Sequence, residues 1–146
     1  MQSLVNIVRK TGAKNLVLVA GMDWGFDLSQ IARYSMKGSN VVYDTHLYPY
    51  PKKQPATWDA AFGTISKKYP VISAESGEYD CGTSYVSKLF SYFDAHQIGW
   101  IGWAWVVQGS PCGYPQLILD YRGTPTPGMG QLVYQWLRSY AHVLNN

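Results

Sequence analysis

A carboxylate closes an apolar run in this sequence, Pro70-Val-Ile-Ser-Ala-Glu75. A carboxylate at the end of a buried segment is costly unless it is paired or hydrogen-bonded. Such an acid either reacts in a cleft or ties two neighbouring strands together. Upstream, His46 and Tyr48 stand two residues apart in Thr45-His-Leu-Tyr-Pro-Tyr50. In extended chain both side chains point the same way. A His and a Tyr aimed into one pocket can orient a carboxylate and bind a ligand hydroxyl; a purely structural pair is the alternative. Trp100, Trp103 and Trp105 crowd a further apolar segment. Trp103 and Trp105 share a face, and Trp105, nearer the exit, is the preferred floor for a flat ligand ring. Glu78 lies three residues beyond Glu75 in a loop-like stretch, where nothing fixes it as a second reacting acid.

These side chains need elements to hold them. Residues 3–11 read as a short amphipathic helix that ends near Gly12. Residues 15–20 are a continuous apolar run, as in a strand buried on both faces. Residues 27–37 read as a short helix stopped by Gly38, and residues 40–46 as a second strand. A Pro-rich loop leads to a helix over 57–68 with Thr57 as N-cap. Residues 70–75 form the third strand and 83–96 a helix. Residues 98–107 form the fourth strand, and 127–144 a closing helix. Strands alternating with helices give parallel βαβ units with right-handed crossovers. The sequence is a single domain, residues 1–146, and His46, Glu75 and Trp105 fall at or just past strand C-terminal ends. Ligands bind at that end of such sheets.

Composition excludes several classes. The net charge is only +3 and charged residues make up 14%, with no run of Lys or Arg. Nucleic-acid binding has no electrostatic footprint. No apolar stretch approaches the roughly 20 residues of a membrane span, and no signal peptide is visible. No Gly-rich phosphate motif follows a strand. The chain holds 12 Tyr, 6 Trp and 4 Phe. That suits either a large aromatic core or a site that stacks on flat, hydroxyl-rich ligands. Cys81 and Cys112 lie in Gly-rich, loop-like segments. A disulfide between two loops is preferred over free thiols, and it implies an oxidising compartment. Two Cys make no zinc site unaided, and no metal or cofactor is expected.

Taken together, the segments 15–24, 41–50, 70–75 and 99–105 resemble strands five to eight of family 5 glycoside hydrolases, the cellulase-like (β/α)8-barrel enzymes. The resemblance implies that Glu75 is the nucleophile of a retaining mechanism and that Tyr48 orients it. It implies that His46 binds substrate and that a Trp of the eighth strand, Trp105 or Trp103, forms the platform under the sugar. Cys81 and Cys112 then lie side by side on the loops after strands seven and eight, which supports their pairing. It implies β-linked polysaccharides or oligosaccharides as ligands and a secreted parent enzyme. Ser76 follows Glu75, where the family often has an aromatic before the glycine.

The same resemblance implies that half of the active site is absent. A whole (β/α)8 barrel takes roughly 250 residues, and this chain begins at what looks like the fourth helix. The family acid/base glutamate of the fourth strand has no counterpart. Retaining hydrolysis needs two carboxyl groups about 5–5.5 Å apart, so little or no hydrolysis is expected. Half of a TIM barrel also leaves open sheet edges, which invite pairing; completion to eight strands by homodimerisation is the expectation. A non-catalytic carbohydrate-binding or structural half-barrel, stacking ligands on Trp24, Tyr48 and Trp105, is the alternative.

Overall fold

The structure, a computed structural model, describes residues 1–144, with side chains as far as residue 141. Helix α1 (Gln2–Lys10) precedes strand β1 (Val17–Ala20), which is followed by β2 (Val41–Leu47), β3 (Val71–Ser76) and β4 (Gly99–Gly102). The strands pair in sequence order, all parallel. Between β2 and β3, α2 (Pro55–Trp58), a π-helical turn (Asp59–Gly63) and α3 (Thr64–Ser66) run on as one helical stretch. Helix α4 (Ser84–His96) joins β3 to β4, and α5 (Met129–Leu144) follows a long loop.

Register explains which face of the sheet is filled. Val19, Tyr43 and Val71 stand side by side across three strands and are all buried. Phe62, Leu89, Phe90 and Phe93 from the helices complete that core. Trp100 of β4 stacks on Phe90 of α4 at 3.9 Å between ring centroids. Side chains alternate across a strand, so the neighbouring positions face the other way. There Leu18 is 44% exposed and Ile101 51%. The helices therefore cover one face of the sheet, and the other stays open.

Three elements differ from the sequence expectation. Residues 27–37 form no α-helix. They make one 3-10 turn, Ser29–Ala32, because Asp27 Oδ1 accepts the Ser29 N–H at 2.8 Å and Leu28 N–H goes to the Ala61 carbonyl. The helix after β2 starts at Pro55 rather than at a Thr57 cap. Pro suits the first helical position, where its missing N–H costs nothing, and Thr57 Oγ1 bonds back to the carbonyls of Lys52 and Gln54. Strand β4 stops at Gly102 instead of continuing to residue 107. Beyond it the backbone changes partners: Ala104 N–H bonds the Pro115 carbonyl and Leu117 N–H the Ala104 carbonyl.

Candidate active site

Glu75 lies near the C-terminal end of β3, directly across from His46 on β2. Tyr48, just past β2, donates its hydroxyl to Glu75 Oε1 at 2.6 Å. Burial, and then the bond to the Glu75 carboxylate, push the Tyr48 phenol far above its ordinary pKa. The phenol therefore keeps its proton and serves as a fixed donor. His46 Nδ1 stands 3.8 Å from Glu75 Oε2. The other ring nitrogen, Nε2, is 2.7 Å from Asp44 Oδ2. Asp44 is only 5% exposed, and its second oxygen accepts the Ala74 N–H at 2.8 Å. That bond falls where the β2–β3 register shifts.

The walls of the site come from loops. After β1 the chain forms a tight hairpin, with Gly21 bridged to Gly25 and Met22 to Asp27. Trp24 and Gly25 occupy its turn, both with positive φ, and Phe26 N–H returns to the Asp23 carbonyl. A side chain at position 25 would sit 2.8 Å from the His46 ring, so only glycine lets this hairpin lie against the imidazole. Trp24 projects at the tip, 91% exposed. A cavity of about 470 Å³ results, bordered by Trp24, His46, Tyr48 and Glu75 together with Tyr50, Lys53 and Tyr79. The rings of Tyr48 and Tyr79 stand 5.2 Å apart, those of Tyr48 and Tyr50 6.3 Å.

Lys53 is a buried cation at this border. Its Nζ donates to the His46 carbonyl at 3.1 Å and lies 5.2 Å from the Phe26 ring centroid. Burial lowers its pKa, opposed by Asp23 and Glu75. The Lys53 carbonyl accepts from Trp58 Nε1 and Tyr85 Oη, so one residue ties the loop after β2 to α2 and α4.

Other candidates separate. Glu78 turns away from Glu75: Oε2 accepts the Val86 N–H at 3.1 Å and Oε1 the Tyr85 N–H at 3.4 Å. It thus satisfies free donors in the first turn of α4. Trp103 and Trp105 do not share a face, because β4 ends before them. Trp103 donates Nε1 to Tyr114 Oη at 2.9 Å, and its carbonyl lies beside Gly77, next to the Tyr48 ring. Trp105 instead lines a separate groove with Ile101, Leu117, Val133 and Leu137. Cys81 and Cys112 are disulfide-bonded. Among the described residues no group of three or more His, Cys, Asp or Glu could hold a metal ion, and no helix is long and apolar enough to cross a membrane.

The model of one family, cellulase (glycosyl hydrolase family 5), matches residues 1–109. The chain belongs to glycosyl hydrolase family 5. Among curated proteins it is 22% identical over 135 residues to a β-mannanase/endoglucanase A of Caldicellulosiruptor saccharolyticus, a match covering 86% of this chain and 10% of that protein. Among solved structures it is similar to a β-glucanase from Saccharophagus degradans in complex with cellotetraose. There the TM-score is 0.73 with 23% identity, over 92% of this chain and 45% of that one. An endoglucanase catalytic domain from Thermobifida fusca gives a TM-score of 0.74 and 17% identity, over 94% and 50%. The family 5 chain thus spans no more than about half of these structures. Its four parallel strands resemble part of their TIM barrel, and it represents part of a family 5 domain.

Three residues bordering this cleft of the family 5 chain escaped the sequence reading. Asp44 sits in the middle of β2, where a buried acid looks like any other strand residue. Its i, i+2 spacing to His46 was the available signal. Lys53 lies in the Lys52–Lys53 pair of a Pro-rich loop and reads as solvated. Tyr79 follows Glu78 in a stretch without periodicity.

Proposed function

We propose that this chain supplies the nucleophile side of a retaining β-glycosidase site for β-linked glucans. The observation that carries the reading is the 2.6 Å bond from Tyr48 to Glu75, with His46 alongside on the next strand. Glu75 attacks the anomeric carbon and forms a glycosyl-enzyme intermediate. Tyr48 orients the attacking carboxylate by holding one of its oxygens. His46 binds a ligand hydroxyl. Trp24 at the hairpin tip and Trp103 beside Gly77 offer flat apolar surfaces for sugar rings, and Trp105 serves at most a ligand reaching the groove behind β4. The solved β-glucanase that held cellotetraose supports a glucan ligand. The disulfide supports export to an oxidising compartment.

The same geometry leaves the acid unassigned. Asp44 is committed to His46 and Ala74, and Glu78 to α4. On its own this chain therefore hydrolyses ordinary β-glucans weakly or not at all. A substrate with a good leaving group isolates the nucleophile's part, because it departs unprotonated. With 2,4-dinitrophenyl β-cellobioside, a Glu75 oxygen bonds to the anomeric carbon. The bond to the aryl oxygen breaks, and dinitrophenolate leaves with the electron pair. The next step needs a base to activate water, so the intermediate should accumulate. About one equivalent of dinitrophenolate per chain in a burst, absent in Glu75→Gln, supports the proposal.

A second reading, a carbohydrate-binding half-barrel, is favoured by the commitment of Asp44 and Glu78 to structural bonds. No burst, together with cellotetraose binding that survives Glu75→Gln, decides for it. In either reading the open edges of β1 and β4 support association of two copies.

A further inference from the structure

We propose that Asp44 is a positioning residue that fixes the His46 ring so that its Nδ1 lone pair is presented beside Glu75 as an acceptor for a ligand hydroxyl. Ionised, Asp44 only accepts hydrogen bonds. Its Oδ2 lies 2.7 Å from His46 Nε2, so Nε2 carries the proton. A neutral imidazole has one N–H and one lone pair, and the lone pair is then on Nδ1. The 3.8 Å from Nδ1 to Glu75 Oε2 is too long for a direct hydrogen bond. Nδ1 therefore needs another partner.

Asp44 holds more than the ring. Its Oδ1 accepts the N–H of Ala74, the residue before Glu75, at 2.8 Å. The bond lies where the β2–β3 ladder is irregular, so a side-chain oxygen supplies a partner in place of a backbone carbonyl. One buried carboxylate thus sets the orientation of His46 with one oxygen and the strand that carries Glu75 with the other. The hairpin also packs on the imidazole, with position 25 close to the ring and the His46 backbone N–H bonded to the Gly25 carbonyl. The ring can neither turn nor exchange its partners without opening both contacts.

The ring state does not depend on the reading of the cleft; the hydroxyl ligand rests on it. Nitrogen-15 NMR of the His46 ring at pH 9, where an ordinary imidazole is neutral (pKa about 6.5), separates the two. The wild-type chain should show a protonated Nε2 and a lone pair on Nδ1. Asp44→Asn can still accept from Ala74, but its amide would donate to Nε2 and drive the proton to Nδ1. The expected result is a reversed ring signature and cellotetraose affinity lower by about 10-fold or more, since the acceptor has become a donor. A wild-type Nδ1–H overturns the proposal whether or not the variant folds. So does a folded Asp44→Asn chain with an unchanged ring. A reversed ring with unchanged cellotetraose affinity overturns the acceptor role. If the wild-type chain binds no cellotetraose, the glucan reading falls, and the ring spectra still decide the role of Asp44.

Discussion

The Tyr48 hydroxyl and Glu75 Oε1, 27 positions apart in the chain, meet at 2.6 Å across two adjacent strand ends. The bond fixes one carboxylate oxygen, and in the proposed reaction the second makes the attack. Tyr48→Phe keeps the ring, and with it the packing against Tyr79, but frees the carboxylate to rotate. The rate of the dinitrophenolate burst should fall about 10-fold or more, the loss expected when a charge-assisted hydrogen bond goes. The thermal midpoint should move little. A burst as fast as wild type would show that Glu75 is held by other means.

Glu78 gives the converse test. It is three residues from Glu75, yet its oxygens are spent on the Tyr85 and Val86 N–H groups of α4. Carboxylates at a helix N-terminus gain from the unpaired donors and from the dipole. Glu78→Ala should cost about 1–3 kcal/mol of stability in chemical denaturation. It should leave the burst amplitude with 2,4-dinitrophenyl β-cellobioside unchanged under folding conditions. A large loss of reactivity with unchanged stability would instead make Glu78 a participant in the chemistry.

Sequence and structure agree where one residue's environment is set by its own strand. His46, Tyr48 and Glu75 were legible because an i, i+2 pair and a strand-ending acid need only alternation to reach the same end of a parallel sheet. Four strands and the helices between them followed from apolar runs and helical spacing. The expectation that Trp103 and Trp105 share a face failed on a boundary. Alternation puts residues 103 and 105 on one face only while β4 continues, and the strand ends at Gly102 when the loop around Pro115 captures the backbone. Asp44 and Lys53 were hidden for a different reason. Their contacts are tertiary: each bonds to a group of His46, and composition does not mark a buried charge that has found its partner.

The tyrosines predict an alkaline limit. Tyr48, Tyr79, Tyr85 and Tyr92 all have pKa values raised, first by burial and then, for Tyr48 and Tyr92, by bonds to Glu75 and Asp59. Below the unfolded value of about 10, folded and unfolded chains both keep these protons, and the stabilisation is complete. Above it the unfolded chain ionises first, so stability is lost as pH rises towards the folded values. Denaturation midpoints should be level between pH 8 and 9 and fall steadily above pH 10. Phenolate absorbance should show a group of tyrosines that ionise only with unfolding. Free ionisation of all tyrosines near pH 10 without loss of structure would contradict the burial.

Strands β1 and β4 end the four-stranded sheet, and among the described residues each leaves one side of its backbone without a strand partner. Next to them Leu18 and Ile101 are about half exposed. An uncovered apolar face beside two open edges favours a second copy, with β1 of each chain against β4 of the other. Such a two-fold barrel would set the two Glu75 residues on opposite strands. Carboxylates facing across a barrel mouth stand wider apart than the retaining separation of about 5–5.5 Å, so the pair is not expected to support retaining hydrolysis. Light scattering at micromolar concentration should give a mass near twice 16.4 kDa, and Ile101→Lys should return a folded monomer by placing a charge on the shared face. A wild-type monomer would mean that the sheet tolerates its open edges alone, and the opposed Glu75 pair would have no bearing on reactivity.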